Sequence, residues 1–377
     1  MNTALVGPEV SEMNLQQLPV PLFGRGNVSH TESNVSVNSS AGLQESYSLR
    51  LTYDITITCT LVVIILGMGC GVTPDLIKIH FKRPTGIAIG LLSQIIILPF
   101  LSFALAHSLG FETIPAVGML VMAVSPCGMM SSVFSYWVDG DVPLSFTIST
   151  LSTLLAFGTI PLNLLIYSGS WTDEEFVIPY RSILIVVGIT ITPLVLGVGI
   201  RWKFSKAASI ILKIGSIAGI ILVALSLILL SLLYPFMYSA SWKIYVAAVS
   251  YPYISFMFGY VVSTLFRMDN FQRRTVALET GMQNYAVCFA ILESSFSAEK
   301  FSVMSIFPLL YGVNVLIAGI VFVGFYQILK KYGPEPIKTH TPNEARLQRE
   351  IKDTQMTEAF LEVRVTDNEG KEELCNT

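Results

Sequence analysis

The sequence predicts an all-α polytopic membrane protein, and three observations carry that expectation. Charge is scarce, the apolar runs are long and continuous, and two of those runs are interrupted by polar, helix-breaking clusters. Of the 377 residues, 13% are charged, against ~25% for soluble domains. The charges also collect in the tails: residues 51–329 hold only 25 of them. A soluble enzyme of this size could not cover its surface with so few, so lipid is the expected solvent of that stretch. A net charge of −3 excludes a nucleic-acid binder, which needs a basic face.

A helical span needs about 20 mainly apolar residues. Nine stretches meet that length: 53–74, 84–107, 115–137, 142–167, 179–200, 208–232, 244–266, 272–293 and 303–329. Their apolar residues run continuously rather than alternating, which excludes a β-barrel. The chain therefore reads as a tail over 1–50, a nine-span domain over 51–330 and a second, charge-rich tail over 331–377. The latter is expected to be solvated, with a short helix around 343–361.

Lys and Arg set the orientation. Lys78, Lys82 and Arg83 follow the first span, Arg201, Lys203 and Lys206 the fifth, Arg267, Arg273 and Arg274 the seventh, and Lys330 and Lys331 the last. All these connectors lie on one side, which is expected to face the cytosol. The N-terminus is then extracellular. The sequons Asn27, Asn34 and Asn38 all lie in that tail, where they are candidate glycosylation sites. No segment of residues 1–50 has the apolar core of a cleavable leader, so the first span is expected to act as its own anchor. Four of the five cysteines (Cys59, Cys70, Cys127, Cys288) lie in apolar spans and Cys375 near the far end, a pattern that reads as free thiols. Tyr234, Tyr238, Trp242 and Tyr245 read as an outer-interface belt.

The third span contains Ser125-Pro126-Cys127-Gly128, followed by Ser131 and Ser132. Pro126 has no N–H and crowds the carbonyl four residues earlier, so the helix should break there, close to mid-membrane. Lipid cannot satisfy the freed groups, so they must face protein or a watery cavity. The eighth span contains Glu279-Thr280-Gly281-Met282-Gln283-Asn284. Gly281 marks its expected break, and Glu279 is the one acid placed deep in the membrane. Such a group costs at least ~2.5 kcal/mol there unless a partner or a bound cation compensates.

Each broken span is the middle of three, in the groups 2–3–4 and 7–8–9. An offset of five spans reverses direction, so the two triads form an inverted repeat, the arrangement of secondary transporters. Hydroxyls, amide oxygens and one carboxylate at such a crossing suit Na⁺. No nucleophile–base set, phosphate loop or metal-binding histidine pair is present, so the chain does not read as an enzyme and no cofactor is implied. The alternative from another class is a non-transporting seven-helix receptor, which would require two of the nine spans to be wrong.

Residues Arg273 to Asn284, Arg-Arg-Thr-Val-Ala-Leu-Glu-Thr-Gly-Met-Gln-Asn, resemble the signature of the sodium/bile acid cotransporter family. Ser125 to Gly128, Val133-Phe134-Ser135 and Gly140-Asp141 are also similar to that family, and the likeness spans roughly residues 50–330. The resemblance implies a panel domain of spans 1, 5 and 6 and a core domain of spans 2–4 and 7–9. It implies a first sodium site of Ser131, Ser132, Ser145, Ser149 and Glu279. A second would use Gln94, Glu279, Thr280, the Met282 carbonyl and Gln283. Ser132 stands where relatives commonly have Asn, and Ser149 where they commonly have Thr. The implied partners are Na⁺, an amphipathic organic anion and the bilayer of the plasma membrane. Whole-chain likeness within the family implies sulfated steroids as cargo, with bile acids such as taurocholate as the alternative. Oligomeric state is not encoded in any of these motifs.

Overall fold

The computed structural model describes residues 35–73, 80–82, 84–171, 177–235, 238 and 240–332, with side chains from residue 48 onward. The chain divides into two compact units, Met1–Ser46 and Tyr47–Thr377; of the first, only helical backbone from Val35 is described. Asn27, Asn34, Lys78, Arg83, Cys375 and the helix expected at 343–361 lie outside the described residues, as does the side chain of Asn38.

Among the described residues every regular element is a helix. Seven are long and apolar enough to cross a membrane. They are α1 (Val35–Gly71, with Ser48–Gly71 as its apolar part), α2 (Thr85–Ser108), α4 (Val142–Ser168), α5 (Tyr180–Lys203), α6 (Ser205–Leu233), α7 (Trp242–Leu265) and α9 (Ala298–Tyr332). The third and eighth expected spans are each two short helices. These are α3a (Thr113–Val124) with α3b (Met129–Trp137), and α8a (Asn270–Gly281) with α8b (Tyr285–Ser295). The chain is thus a multi-pass, all-helical membrane protein.

Helix α1 starts well before residue 53, because no proline interrupts residues 35–53. Side-chain exposure shows where lipid lies. On α6, Ile210, Ile214, Ile217, Ile221 and Ile228 are 57–62% exposed at helical spacing, while Gly215, Gly219, Val223, Ser226 and Leu230 are buried on the opposite face. A soluble helix would show the reverse pattern. Tyr238 and Trp242 are likewise exposed, as an interface belt requires.

Small residues set the closest helix contacts. A Cβ on Gly69 of α1 would lie 2.4 Å from the Leu194 carbonyl oxygen of α5, and one on Gly197 of α5 would lie 2.4 Å from the Leu66 oxygen of α1. Their backbones therefore touch. Elsewhere a Cβ on Gly118 of α3a would lie 2.3 Å from the Met304 oxygen of α9.

Candidate ion site where two broken helices cross

The breaks fall at Ser125–Gly128 in the third span and at Met282–Asn284 in the eighth. Each supplies the partners that the other lacks. The Asn284 N–H donates to the Pro126 carbonyl (2.8 Å) and the Gly128 N–H to the Met282 carbonyl (3.4 Å), pairing Cys127 with Gln283 as one antiparallel bridge. The Cys127 thiol adds a bond to the same Met282 carbonyl (2.8 Å). Two unwound segments thus satisfy one another inside the protein, which is the only place at membrane depth where they are tolerated. Each half-helix restarts cleanly: Asn284 Oδ1 caps α8b by accepting the Val287 N–H (3.3 Å). Pro126 and Gly128 both lie in the first break. Gly281 is the last residue of α8a rather than the break itself, and its small size serves contact: a Cβ there would lie 2.3 Å from the Phe256 ring.

Glu279 lies on the last turn of α8a and is fully buried. Its carboxylate accepts hydrogen bonds from Ser131 Oγ of α3b (2.6 Å), from Ser149 Oγ of α4 (2.9 Å) and, very closely, from Ser145 Oγ of α4. Ser132 Oγ bonds Ser145 Oγ (2.7 Å). All five residues of the first expected sodium site therefore form one cluster. Among the described residues no basic side chain pairs with Glu279. The Cys127 thiol lies against the same carboxylate, 3.2 Å from Ser131 Oγ. A buried carboxylate among hydroxyls and a thiol is costly without a cation, and the clustered oxygens suit a hard one.

The residues of the second expected site adjoin the backbone of Glu279 and Thr280 rather than the Glu279 carboxylate. Gln94 of α2 donates from Nε2 to the Glu279 carbonyl (3.1 Å), and Gln283 Nε2 donates to the Thr280 carbonyl (3.3 Å). Thr280 Oγ1 is turned back to the Val276 carbonyl (2.8 Å). The Gln94 and Gln283 side chains are buried, and Oε1 of each lacks a hydrogen-bond partner. Two buried, unpaired amide oxygens beside a polar backbone break suit a cation far better than an apolar packing role.

Sequence reasoning missed three features of the site. First, α2 is not a regular helix at Gln94: residues Ser93–Ile97 form a wide turn in which the Leu98 N–H reaches the Ser93 carbonyl. Such π turns are frequent at functional sites, and Pro99, which cannot donate to the carbonyl of Ile95, was the available signal. Second, the Tyr311 hydroxyl of α9 bridges the α8 break. Third, the connector after α3b ties the end of α3b to α8a. The Asp141 N–H donates to Thr275 Oγ1 (2.7 Å), and Asp141 Oδ1 caps α4 through the Leu144 N–H (3.1 Å) while lying 3.3 Å from His80 Nε2. Gly140 permits this contact, since a Cβ there would lie 2.5 Å from Thr275 Oγ1. Nearby, Asp139 Oδ2 accepts from Tyr326 (2.9 Å) and Lys330 (2.5 Å).

Comparison with known proteins agrees with this geometry. Residues 58–240 match the model of the Sodium Bile acid symporter family. The ileal sodium/bile acid cotransporter of Homo sapiens is 37% identical over 284 residues, covering 75% of this chain and 82% of its own. The sodium-dependent organic anion transporter of Homo sapiens is 34% identical over 335 residues, covering 85% and 86%. That of Mus musculus is 31% identical over 345 residues, covering 89% and 90%. These relatives are transporters, not enzymes, and they match most of both chains. With its paired helix breaks and its buried oxygen cluster, this chain belongs to the sodium/bile acid symporter family.

Proposed function

We propose that the protein is a plasma-membrane symporter that couples Na⁺ entry to uptake of an amphipathic organic anion, with sulfated steroids as the cargo. The observation that carries this reading is the Glu279 cluster: a fully buried carboxylate at the crossing, ringed by Ser131, Ser145 and Ser149. The first Na⁺ is assigned to that ring with Ser132. The second is assigned to Gln94, Glu279, Thr280, the Met282 carbonyl and Gln283. Taking the ion stabilises the buried charge, so ion occupancy and the packing of the crossing are energetically linked.

In this reading the chain makes nine crossings, counting α3a–α3b and α8a–α8b as one each, with the basic connectors cytosolic and the N-terminus outside. Helices α1, α5 and α6 form one rigid panel, a division supported by the backbone contact at Gly69 and Gly197. The remaining helices form the core that rocks against it. Two Na⁺ accompanying one monovalent anion would carry one net positive charge inward, adding ~2.3 kcal/mol of driving force per 100 mV.

The wider coverage of the organic anion transporters, up to 89% of this chain, supports an organic-anion cargo, within which sulfated steroids are the proposed class. The higher identity to the ileal cotransporter, 37%, favours a second reading in which bile acids are carried. Uptake of labelled steroid sulfate and of taurocholate, each in Na⁺ and in choline, tests both. Sodium-dependent uptake of the steroid sulfate above that of taurocholate is expected. The reverse ranking selects the bile-acid reading, and equal uptake in choline removes sodium coupling altogether.

A further inference from the structure

Two irregular pieces of backbone flank the second group of oxygens: the wide turn of α2 that carries Gln94 and the break of α8 that carries Gln283. Each is held by the hydroxyl of a buried tyrosine, and the two tyrosines touch. Tyr311 Oη donates to the Gly281 carbonyl (2.7 Å) and accepts from the Gln283 N–H (3.1 Å). One hydroxyl thus satisfies the backbone on both sides of Met282. Tyr251 Oη of α7 donates to the Leu98 carbonyl (3.0 Å), immediately after the wide turn. The two rings lie 6.0 Å apart, and Phe307 lies 6.1 Å from each. Both tyrosines are buried to within 1% of full occlusion. One turn beyond Tyr311, Asn314 Nδ2 donates to the Ala248 carbonyl of α7 (3.2 Å), a group that Pro252 leaves without its helical donor. The Asn314 bond therefore pins α9 to α7 beside the tyrosine pair.

We propose that Tyr251 and Tyr311 are positioning residues for the coupling ion: together they fix the spacing of Gln94 and Gln283, and Tyr311 aims the unwound Met282–Gln283 segment. Neither hydroxyl is a ligand in this proposal. Tyr311 holds break carbonyl and N–H groups that would otherwise recoil toward helical geometry, and Tyr251 fixes the helical residue on which the wide turn ends, so that the amide oxygens meet the ion without rearrangement. The inference rests on the sodium reading given above.

The test compares wild type, Tyr311→Phe and Tyr251→Phe by Na⁺ titration of uptake, normalised to surface abundance. It is repeated on purified protein as thermal stabilisation by NaCl against choline chloride. Tyr311→Phe loses two hydrogen bonds and is expected to raise the half-saturating Na⁺ concentration about tenfold, and Tyr251→Phe about threefold. Maximal uptake at saturating Na⁺ should stay within about twofold, since the inferred role concerns ion affinity alone. The thermal titration should shift by the same factors. An unchanged Na⁺ half-saturation, with uptake reduced equally at all Na⁺ concentrations, would mark the tyrosines as merely structural and overturn the proposal. If Tyr311→Phe does not reach the surface, Tyr251→Phe decides alone: an unshifted Na⁺ titration there overturns it. Wild-type uptake that is equal in choline would instead fell the sodium reading itself, before any variant is considered.

Discussion

The two sides of Glu279 differ in how far they are already satisfied. Toward α3b and α4, its carboxylate is closed by hydroxyls, and Ser132 completes the ring through Ser145. Toward α2 and the α8 break, two amide oxygens remain unpaired. In the proposed reading, the first side is a closed hydrogen-bond ring that would turn its lone pairs inward to admit an ion, and the second offers open acceptors held in place by backbone. Glu279 would then be shared by a site that rearranges and a site that is preformed. A preformed site should be the more sensitive to its rigid supports, and a ring to the charge at its centre.

The largest expected effect tests the charge that both sides share. Glu279→Gln keeps the shape, removes the anion and turns one acceptor oxygen into a donor, which the facing hydroxyls can meet by rotating. Uptake per surface molecule is expected to fall at least ~100-fold, because losing one partner of a buried ion contact costs about 3 kcal/mol or more. The same change removes an uncompensated buried charge from the ion-free protein. Its melting temperature in choline should therefore be equal to or above that of wild type, while stabilisation by NaCl disappears. A variant that melts lower in choline but still responds to Na⁺ would show that Glu279 serves structure rather than the ion.

Next in size is a change confined to the preformed side. Gln283→Leu deletes an unpaired buried oxygen together with the Nε2 bond to the Thr280 carbonyl one turn away (3.3 Å), so the ion-free protein should lose about 1 kcal/mol of stability. The half-saturating Na⁺ concentration should rise about tenfold, equivalent to one ion–oxygen contact of ~1.4 kcal/mol. Gln94→Leu should raise it similarly but cost more stability, because the Nε2 bond it loses ties α2 to the Glu279 carbonyl of α8a (3.1 Å), whereas that of Gln283 is local. Equal stability losses in the two variants, measured by melting in choline, would contradict the asymmetry between a bond that joins two helices and one that closes a single local turn.

How much of this could be read in advance follows from what each residue does to a helix. Pro126 announces its break because proline lacks an N–H, and Glu279 stands out because charge is expensive in lipid. The wide turn at Ser93–Ile97 is hidden, since Ser-Gln-Ile-Ile-Ile contains nothing that interrupts a helix and its cause, Pro99, lies two residues beyond it. The exact end of α8a was displaced for a related reason. Gly281 is small to admit Phe256, and the chain unwinds one residue later, where Tyr311 and the α3 break supply partners. Tyr311 itself sits in a long apolar span where a tyrosine reads as packing. Only the fold brings its hydroxyl to a break 30 residues away in sequence. The multi-pass helical character was legible from composition, whereas the supports of the site depend on contacts between distant helices.

The smallest expected effect separates direct from relayed members of the ring. Ser132 Oγ bonds Ser145 Oγ and makes no bond to Glu279, although the resemblance placed all four serines together as ligands. Ser132→Ala should therefore weaken Na⁺ half-saturation only about threefold, the worth of one neutral hydrogen bond of ~0.7 kcal/mol. Ser145→Ala removes a hydroxyl that donates directly to the carboxylate and leaves Ser132 unpaired too, so its shift should exceed tenfold. In the double variant the Ser132 contribution should vanish, because its partner is already gone, giving a coupling close to the whole Ser132→Ala effect. Additive shifts in that cycle would mean that Ser132 reaches the ion on its own. The ring would then be an ordinary ligand set, and the contrast between the two sides of Glu279 would lose its basis.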